Sequence, residues 1–285
     1  MHEDEMIEKQ GSFKYGVLCA LEQCPPRYPV ALNGDIGYVT GKAAMAGAEA
    51  IELHIRDPYK YDPKELTAAA KGHGLSFAAI TTGLESVLNG LTLINDDIGI
   101  RRLAVEKLKG HLDLAEKIGC PAVVIGVMRG NIPDFDRFDE YEGRLTEAML
   151  ELSDHAKGRG VALLIEGINR YVTNYLCSIP EVLAYIKKLN RQNIMIHIDT
   201  HQMNIEDVDF AKAIGSCRGQ LGYVHFSDNN RALPGGGNID FFTIMKALRD
   251  IRYDGYIGIE SAVCLPGDPA LKNCIEDLRM MEKRL

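Results

Sequence analysis

Eight short runs of apolar and β-branched residues recur along the chain, each followed by a longer segment with apolar residues every three or four positions. The longer segments predict amphipathic helices, and near-continuous apolar runs predict strands that are buried on both faces. The predicted strands are Lys14–Leu21, Ala50–Ile55, Leu75–Thr81, Ala122–Val127, Val161–Glu166, Ile194–Asp199, Gly222–Ser227 and Gly255–Glu260. The pattern therefore predicts an α/β protein with a parallel sheet covered by helices.

The helical pattern is clearest between the third and fourth predicted strands. An apolar face is predicted there from Leu103, Leu108, Leu112 and Ala115. Gly119 follows as a stop signal, and farther along Ser178 and Pro180 have the spacing of a helix cap and a first-turn proline. These signals place helices behind their strands.

The number of repeats distinguishes two architectures. Eight strand–helix units in 285 residues are typical of a single closed (β/α)8 barrel, the TIM barrel. An open doubly wound sheet is the alternative, but it requires an early glycine-rich dinucleotide turn, and PGGG at 234–237 comes too late. We predict one barrel over residues 13–285, preceded by a disordered or loosely attached segment at residues 1–12.

Composition and charge narrow the class of protein. The chain is 46% hydrophobic and 25% charged, which is ordinary for a globular protein, and its net charge of -8 argues against nucleic acid as a partner. The charged N-terminal segment does not resemble a signal peptide, and no apolar run is long enough to span a membrane. Seven cysteines form no CxxC pair, which indicates reduced, buried thiols. We expect a cytoplasmic protein without a membrane partner.

Ionisable residues stand at the ends of the last four predicted strands. Glu166, Asp199 and Glu260 end their strands, and His225 lies near the end of GYVHFS. In a closed parallel barrel these ends meet at one mouth. Three carboxylates and an imidazole crowded together need a compensating positive charge, and all four are ligands of divalent cations. The sequence predicts one divalent metal ion, either Mn, Mg, Co or Zn.

Four segments around these residues carry a family resemblance. IEGINRY (165–171), IDTHQMN (198–204), HFSDNNRALPGGGNIDF (225–241) and GIES (258–261) resemble motifs of the xylose-isomerase-like sugar (phosphate) isomerase/epimerase superfamily. Within it they are most similar to the ketose 3-epimerase branch, the group around D-tagatose 3-epimerase. The resemblance implies a carbohydrate isomerase or epimerase that acts on a small sugar or sugar phosphate and assembles as a homo-oligomer, a dimer or tetramer.

The resemblance also implies roles for individual residues. The ion would be held by Glu166, Asp199, His225 and Glu260. The two glutamates would act as acid and base on opposite faces of the carbon beside the ketose carbonyl, through an enediolate. Arg231 matches the arginine that binds substrate oxygens in this family.

Two positions depart from the family pattern. Val172 stands where a second glutamate is usual, and Gln202 stands where histidine is usual, with His201 one residue earlier. Neither Val172 nor Gln202 can titrate, so the residues facing the substrate differ from those of the family. Aldose–ketose isomerisation, another substrate, and dehydration of a ketone sugar or inosose stay open, as does a barrel that binds sugar without turnover. Cleavage of DNA at abasic sites is disfavoured, because those relatives build a three-metal cluster from many more His and acidic ligands. The chain has only eight His, and its acidic balance suits DNA poorly.

Other polar residues near strand ends have predicted roles. Contacts with the substrate are predicted for Gln202, His201, Asn169, Arg129 and His54. Asp228 is predicted to orient Arg231 or His225 as an outer partner. His197 alternates with Asp199 along its strand, so we expect a hydrogen-bonded core histidine below the metal.

Overall fold

The computed structural model describes residues 11–262 and 269–285. Its strands are β1 Lys14–Ala20, β2 Leu32–Asn33, β3 Ala50–His54, β4 Ser76–Thr81, β5 Ala122–Val124, β6 Ala162–Glu166, β7 Ile194–Asp199, β8 Leu221–Phe226 and β9 Tyr256–Ile259. Its α-helices are α1 Ile36–Met45, α2 Pro63–Gly72, α3 Gly83–Asn89, α4 Ile98–Ile118, α5 Phe138–Ala156, α6 Ile179–Leu189, α7 Thr200–Glu206, α8 Phe210–Ser216, α9 Phe241–Asp250 and α10 Ala270–Glu282.

The strands form one closed parallel barrel. Hydrogen-bonded neighbours follow the order β1-β3-β4-β5-β6-β7-β8-β9, and β9 pairs with β1 to close the ring. Each crossover carries a helix to the outside, where it covers the apolar outer face of the strands. The predicted single TIM barrel is confirmed.

Nine of the sixteen predicted strand boundaries differ from the structure, eight by one residue and one by three. The short β2 was not predicted; it pairs with the end of β1 through Cys19 and Ala20. The predicted strand to Val127 is too long, because Gly126 adopts a positive φ of 42° and the chain enters a 3-10 turn over Gly126–Arg129. β8 begins one residue early, at Leu221. The early end of β5 matters below, because it redirects Arg129.

Helix packing and capping follow the predicted signals with one exception. Leu108, Leu112 and Ala115 of α4 are buried, but Leu103 is 49% exposed, so its predicted place in the apolar face is wrong. Gly119 ends α4 in the left-handed conformation, with a φ of 70°. At the start of α6, Ser178 forms a capping box with Glu181, as this type of signal indicates.

The structure tests the cysteine and membrane predictions only for the residues that it describes. Cys19, Cys120 and Cys217 are buried thiols outside any disulfide, as predicted. Cys24 and Cys177 are only partly buried, and Cys264 lies outside the described residues. The predicted N-terminal segment also lies largely outside them, since the description starts at residue 11. Among the described helices, none combines the length and the apolar character that crossing a membrane requires.

Candidate active site

Asp199, His225 and Glu260 converge at the carboxyl ends of β7, β8 and β9. One potential ligand atom from each lies within 4.8 Å of those of the other two, and all three residues are buried. Strand register explains the convergence: Asp199 pairs with His225, and Phe226 pairs with Ile259, which places Glu260 beside them. The sequence prediction that these residues meet at one mouth is confirmed.

The two ring nitrogens of His225 have different surroundings. Nε2 lies 2.6 Å from Oε2 of Glu52. Nδ1 is buried without a hydrogen-bond partner in the described structure, and it lies 3.8 Å from Oε1 of Glu260. Burial acts to lower the pKa of the imidazole, but the carboxylates of Glu52 and Glu260 outweigh it and raise that pKa to about 10.

Arg231 bridges two carboxylates of this cluster. Its Nη1 donates a hydrogen bond to Oδ2 of Asp199 at 2.7 Å and another to Glu260. Burial acts to raise the pKa of Asp199, but Arg231 and the bond to Glu260 hold it well below its usual range. Burial raises the pKa of Glu260 well above its usual value. Arg231 therefore lies at the centre of the predicted site.

Glu166 faces the same mouth from the adjacent strand. It ends β6 in register with His197, and its Oε2 lies 4.0 Å from Nδ1 of that histidine. Its carboxylate lies outside the 4.8 Å group formed by the other three predicted ligands. Burial, followed by the charge of Asp199, raises the pKa of Glu166 to about 7. Because β6 and β9 flank the two strands between them, Glu166 and Glu260 approach the mouth from different sides.

The donor set fits a divalent cation. It offers the unpartnered Nδ1 of His225 and the carboxylates of Asp199 and Glu260, with Glu166 beside them. Carboxylate oxygens and neutral imidazole nitrogens are the ligands used for Mn, Mg, Co and Zn. Burial and the charge of Asp199 raise the pKa of Glu166 and Glu260, so a bound cation would stabilise their ionised forms.

Asn169 and Gln202 contact each other at the mouth. Oε1 of Gln202 accepts the backbone N–H of Asn169 at 3.1 Å and a second bond from its side-chain amide. His201 turns elsewhere: its Nδ1 lies 3.2 Å from the backbone carbonyl oxygen of Asp228. Val172 is 51% exposed. The positions that depart from the family pattern thus present neutral groups.

Arg129 is 1% exposed and is bonded to protein groups throughout. Its guanidinium donates to the hydroxyl of Thr173 and to backbone carbonyls of Gly126, Glu166, Tyr175 and Leu176. Burial lowers its pKa to about 10. These bonds use the donors that the predicted substrate contact would need, so the structure gives Arg129 a framework position behind Glu166.

His54 is likewise bonded within the protein. Its Nε2 accepts the backbone N–H of Leu84 at 3.1 Å and lies 3.4 Å from the hydroxyl of Tyr28. Burial lowers the pKa of His54 to about 4, so the ring is neutral at pH 7. Tyr28 comes from the segment between β1 and β2, and sequence reasoning did not single it out.

Asp228 organises the loop after β8. Its carboxylate accepts backbone N–H groups of Asn229, Gly235, Gly237 and Ile239. The predicted orientation of Arg231 or His225 by this side chain is therefore not what the structure shows. Asp228 reaches Arg231 through the backbone instead, because the N–H of Arg231 donates to the carbonyl of Asp228 at 2.9 Å.

His197 lies in the barrel interior, as predicted. It is fully buried and packs edge-on against His225, with ring centroids 4.3 Å apart. The expected hydrogen bonds are absent: neither of its ring nitrogens has a partner in the described part of the chain. Burial lowers its pKa to about 3, which keeps it neutral.

Glu52 is a buried carboxylate that sequence reasoning missed. It lies within β3, fully buried, and besides His225 it accepts hydrogen bonds from Tyr223 at 2.9 Å and from Thr81. The available signal was a carboxylate inside the apolar run AIELHI, two residues before His54 and therefore on the same face of the strand. Glu52 lies inside its strand, whereas the predicted site residues were sought at strand ends.

The relatives found by comparison with known proteins agree with one another. The family model described as "Xylose isomerase-like TIM barrel" matches residues 41–284. A ketose 3-epimerase from Arthrobacter globiformis is 32% identical over 234 residues, covering 79% of this chain and 77% of the relative. An L-ribulose 3-epimerase from Methylomonas sp. (strain DH-1) is 32% identical over 235 residues, covering 82% and 80%.

A solved structure extends the likeness to the whole barrel. The crystal structure of a His-tagged D-allulose 3-epimerase from Methylomonas sp. superposes with a TM-score of 0.78 at 25% identity, covering 94% of this chain and 98% of the other. This likeness and the family match agree with the motifs at the mouth. The chain belongs to the xylose isomerase-like TIM barrel family.

Proposed function

We propose that this protein is a divalent-metal-dependent isomerase or epimerase of a sugar or sugar phosphate that works through an enediolate. The observation that carries the proposal is the convergence of Asp199, His225 and Glu260 within 4.8 Å at the barrel mouth, beside Glu166. Similarity to ketose and L-ribulose 3-epimerases supports a sugar as the substrate.

The ion would be held by Asp199, His225 and Glu260, with Glu166 as the fourth ligand. A divalent ion there supplies Lewis acidity, which stabilises negative charge developing on substrate oxygens. Arg231 donates hydrogen bonds at the same place and would bind substrate oxygens beside the reacting carbon.

Glu166 and Glu260 would move the proton. One carboxylate takes the proton from the carbon beside the carbonyl, and the electrons of that C–H bond form the enediolate. The other glutamate, in its acid form, returns a proton. Return to the same carbon from the opposite face inverts it, which is epimerisation; return to the neighbouring carbon is aldose–ketose isomerisation. Their approach from β6 and β9 suits such two-sided transfer.

The neutral groups at Val172, Gln202 and Asn169 bear on which substrate is used. Gln202 and Asn169 hydrogen-bond but do not exchange protons at neutral pH. Proton transfer is therefore assigned to the two glutamates alone. Dehydration of a ketone sugar or inosose would begin with the same proton removal and differ in losing a hydroxyl.

Proton NMR in D2O tests this function. Purified protein with Mn(II) is incubated with ketoses, ketose phosphates and inosose-like ketones, the metal is removed, and the hydrogens beside the carbonyl are followed. We expect metal-dependent exchange that Glu166→Gln abolishes. The matched control is Glu151→Gln, at a partly exposed position on α5. Unchanged exchange in Glu166→Gln would contradict the proposal. The labelled carbon distinguishes an epimerase from an isomerase, and a product that has lost a hydroxyl identifies a dehydratase.

A further inference from the structure

Glu52 is a carboxylate held inside the barrel by three donors. Tyr223 and His225 reach it from β8, and Thr81 reaches it from β4. A buried carboxylate with fewer partners would destabilise the fold, because burial without hydrogen bonds is costly for a charge. These three hydrogen bonds therefore stabilise the buried charge of Glu52. The bond to His225 also affects the imidazole.

His225 gains a defined tautomer. The imidazole can carry its proton on either nitrogen, and the partner of one nitrogen decides which form is populated. A carboxylate can only accept, so with Oε2 of Glu52 2.6 Å away Nε2 keeps its proton in the neutral ring that binds a metal ion. The lone pair of Nδ1 is then directed towards the side where Asp199 and Glu260 lie.

Glycine at position 258 allows this arrangement. A Cβ atom added to Gly258 would lie 2.9 Å from Cζ of Tyr223, closer than real Cβ contacts allow, and 3.0 Å from Cδ2 of His225, which is tighter than most real contacts. Gly258 pairs with His225 in the sheet. Tyr223 and His225 of β8 extend towards Glu52 across the space beside Gly258 of β9. A side chain at position 258 would occupy that space.

We propose that Glu52 is a positioning residue: it fixes the His225 tautomer that presents Nδ1 as a ligand, and it increases the affinity for the divalent ion. The inference rests on the metal centre of the proposed function. Carboxylate partners of metal-binding histidines act in this way in general, and their loss typically weakens metal binding by about 10- to 100-fold.

A purely structural role would affect folding alone. Glu52 joins β3 to β4 and β8 through Thr81 and Tyr223, so its replacement also removes bonds between strands. Tyr223→Phe separates the two roles, because it removes one donor to Glu52 and leaves the bond to His225. Stability falls in both variants, but only the Glu52 variant alters the imidazole.

Isothermal titration with Mn(II) gives the first readout. We expect Glu52→Gln to bind Mn(II) about 10- to 100-fold more weakly than the wild-type protein, and Tyr223→Phe to stay within about fivefold. Equal affinity of Glu52→Gln and wild type overturns this inference and leaves the proposed function intact. A wild-type protein that binds no divalent ion overturns both.

Nitrogen-15 NMR of the zinc-loaded wild-type protein needs no variant, so it decides the matter even where Glu52→Gln does not fold. We expect the His225 ring to carry its proton on Nε2, protected from exchange with solvent, and to coordinate through Nδ1. A ring protonated on Nδ1, or coordinated through Nε2, overturns the inference.

Discussion

The two halves of the barrel use buried polar side chains differently. From β6 to β9, each strand carries one of the four predicted metal ligands to the mouth. From β1 to β5, the buried polar residues Glu52, His54 and Arg129 are bonded to other protein groups. We call β6 to β9 the chemical half of the barrel and β1 to β5 the framework half.

The difference arises from where each side chain lies along its strand. Glu52 lies two residues before the end of β3, deep enough for three protein donors to reach it. Arg129 follows an early strand end, and the turn that starts at Gly126 leads its side chain back to backbone carbonyls. Glu166 and Asp199 end their strands, and Glu260 follows β9 directly, so these carboxylates reach the mouth.

Removing a ligand of the chemical half should have the largest effect. We expect Asp199→Asn to weaken Mn(II) binding more than about 100-fold, beyond the loss typical of an outer partner. Asparagine keeps the N-cap bond to His201 but loses the charge that pairs with Arg231, so the free energy of unfolding without metal should fall by about 1 to 3 kcal/mol. Titration calorimetry and urea unfolding measure the two quantities.

The matched control is Asp209→Asn, which changes another N-cap aspartate at the exposed start of α8. It should leave Mn(II) affinity unchanged. Equal affinity of Asp199→Asn and the wild-type protein would remove Asp199 from the centre.

Replacing a residue of the framework half should mainly lower the free energy of unfolding. Arg129→Met leaves several buried carbonyls and the Thr173 hydroxyl without their donor, so we expect the free energy of unfolding to fall by about 3 kcal/mol. Urea unfolding measures it. Arg102→Met, at an exposed position of α4, should stay within about 0.5 kcal/mol. A loss for Arg129→Met as small as that of its control would place Arg129 outside the framework.

The contact between Gln202 and Asn169 should have a smaller effect. Gln202→Ala leaves the buried N–H of Asn169 without its acceptor, at a cost of about 1 to 2 kcal/mol. If these two side chains also face the substrate, KM rises more than kcat falls. Unfolding and steady-state kinetics are compared with Gln192→Ala, at an exposed position. An unaltered KM would leave the pair a purely structural role.

Low pH should destabilise the framework half through His111 of α4. Burial lowers its pKa from 6.5 to about 3, so below pH 6.5 the unfolded chain binds a proton that the folded protein excludes. The free energy of unfolding should therefore fall as pH is lowered from about 6.5 to 4. His111→Phe should reduce that slope by at most about 1.4 kcal/mol per pH unit. His73→Phe, at an exposed histidine, is the control, and identical slopes would refute the effect.

Sequence reasoning predicted the barrel and the convergence at its mouth because both follow from repetition. Strands that alternate with helices must be parallel, and their ends must meet, so Asp199, His225 and Glu260 were found from position alone. The end of β5 was predicted too late, because the positive φ of Gly126 depends on its surroundings rather than on its own run of residues.

Contacts across the barrel were not predictable in the same way. The bond between Glu52 and His225 joins residues far apart in sequence, from β3 and β8, and no local pattern encodes it. Asp228 was predicted to act on its neighbours' side chains, yet four nearby backbone N–H groups satisfy it first. Which partner a polar side chain finds depends on packing that the linear pattern does not contain.

Anomalous diffraction from a crystal grown with Mn(II) tests the central claim most directly. The account predicts one manganese peak at the mouth, bound by the carboxylates of Asp199 and Glu260 and by Nδ1 of His225, with Glu166 completing the set. A crystal saturated with Mn(II) that shows no peak there, or a peak held by residues of the framework half, would contradict it.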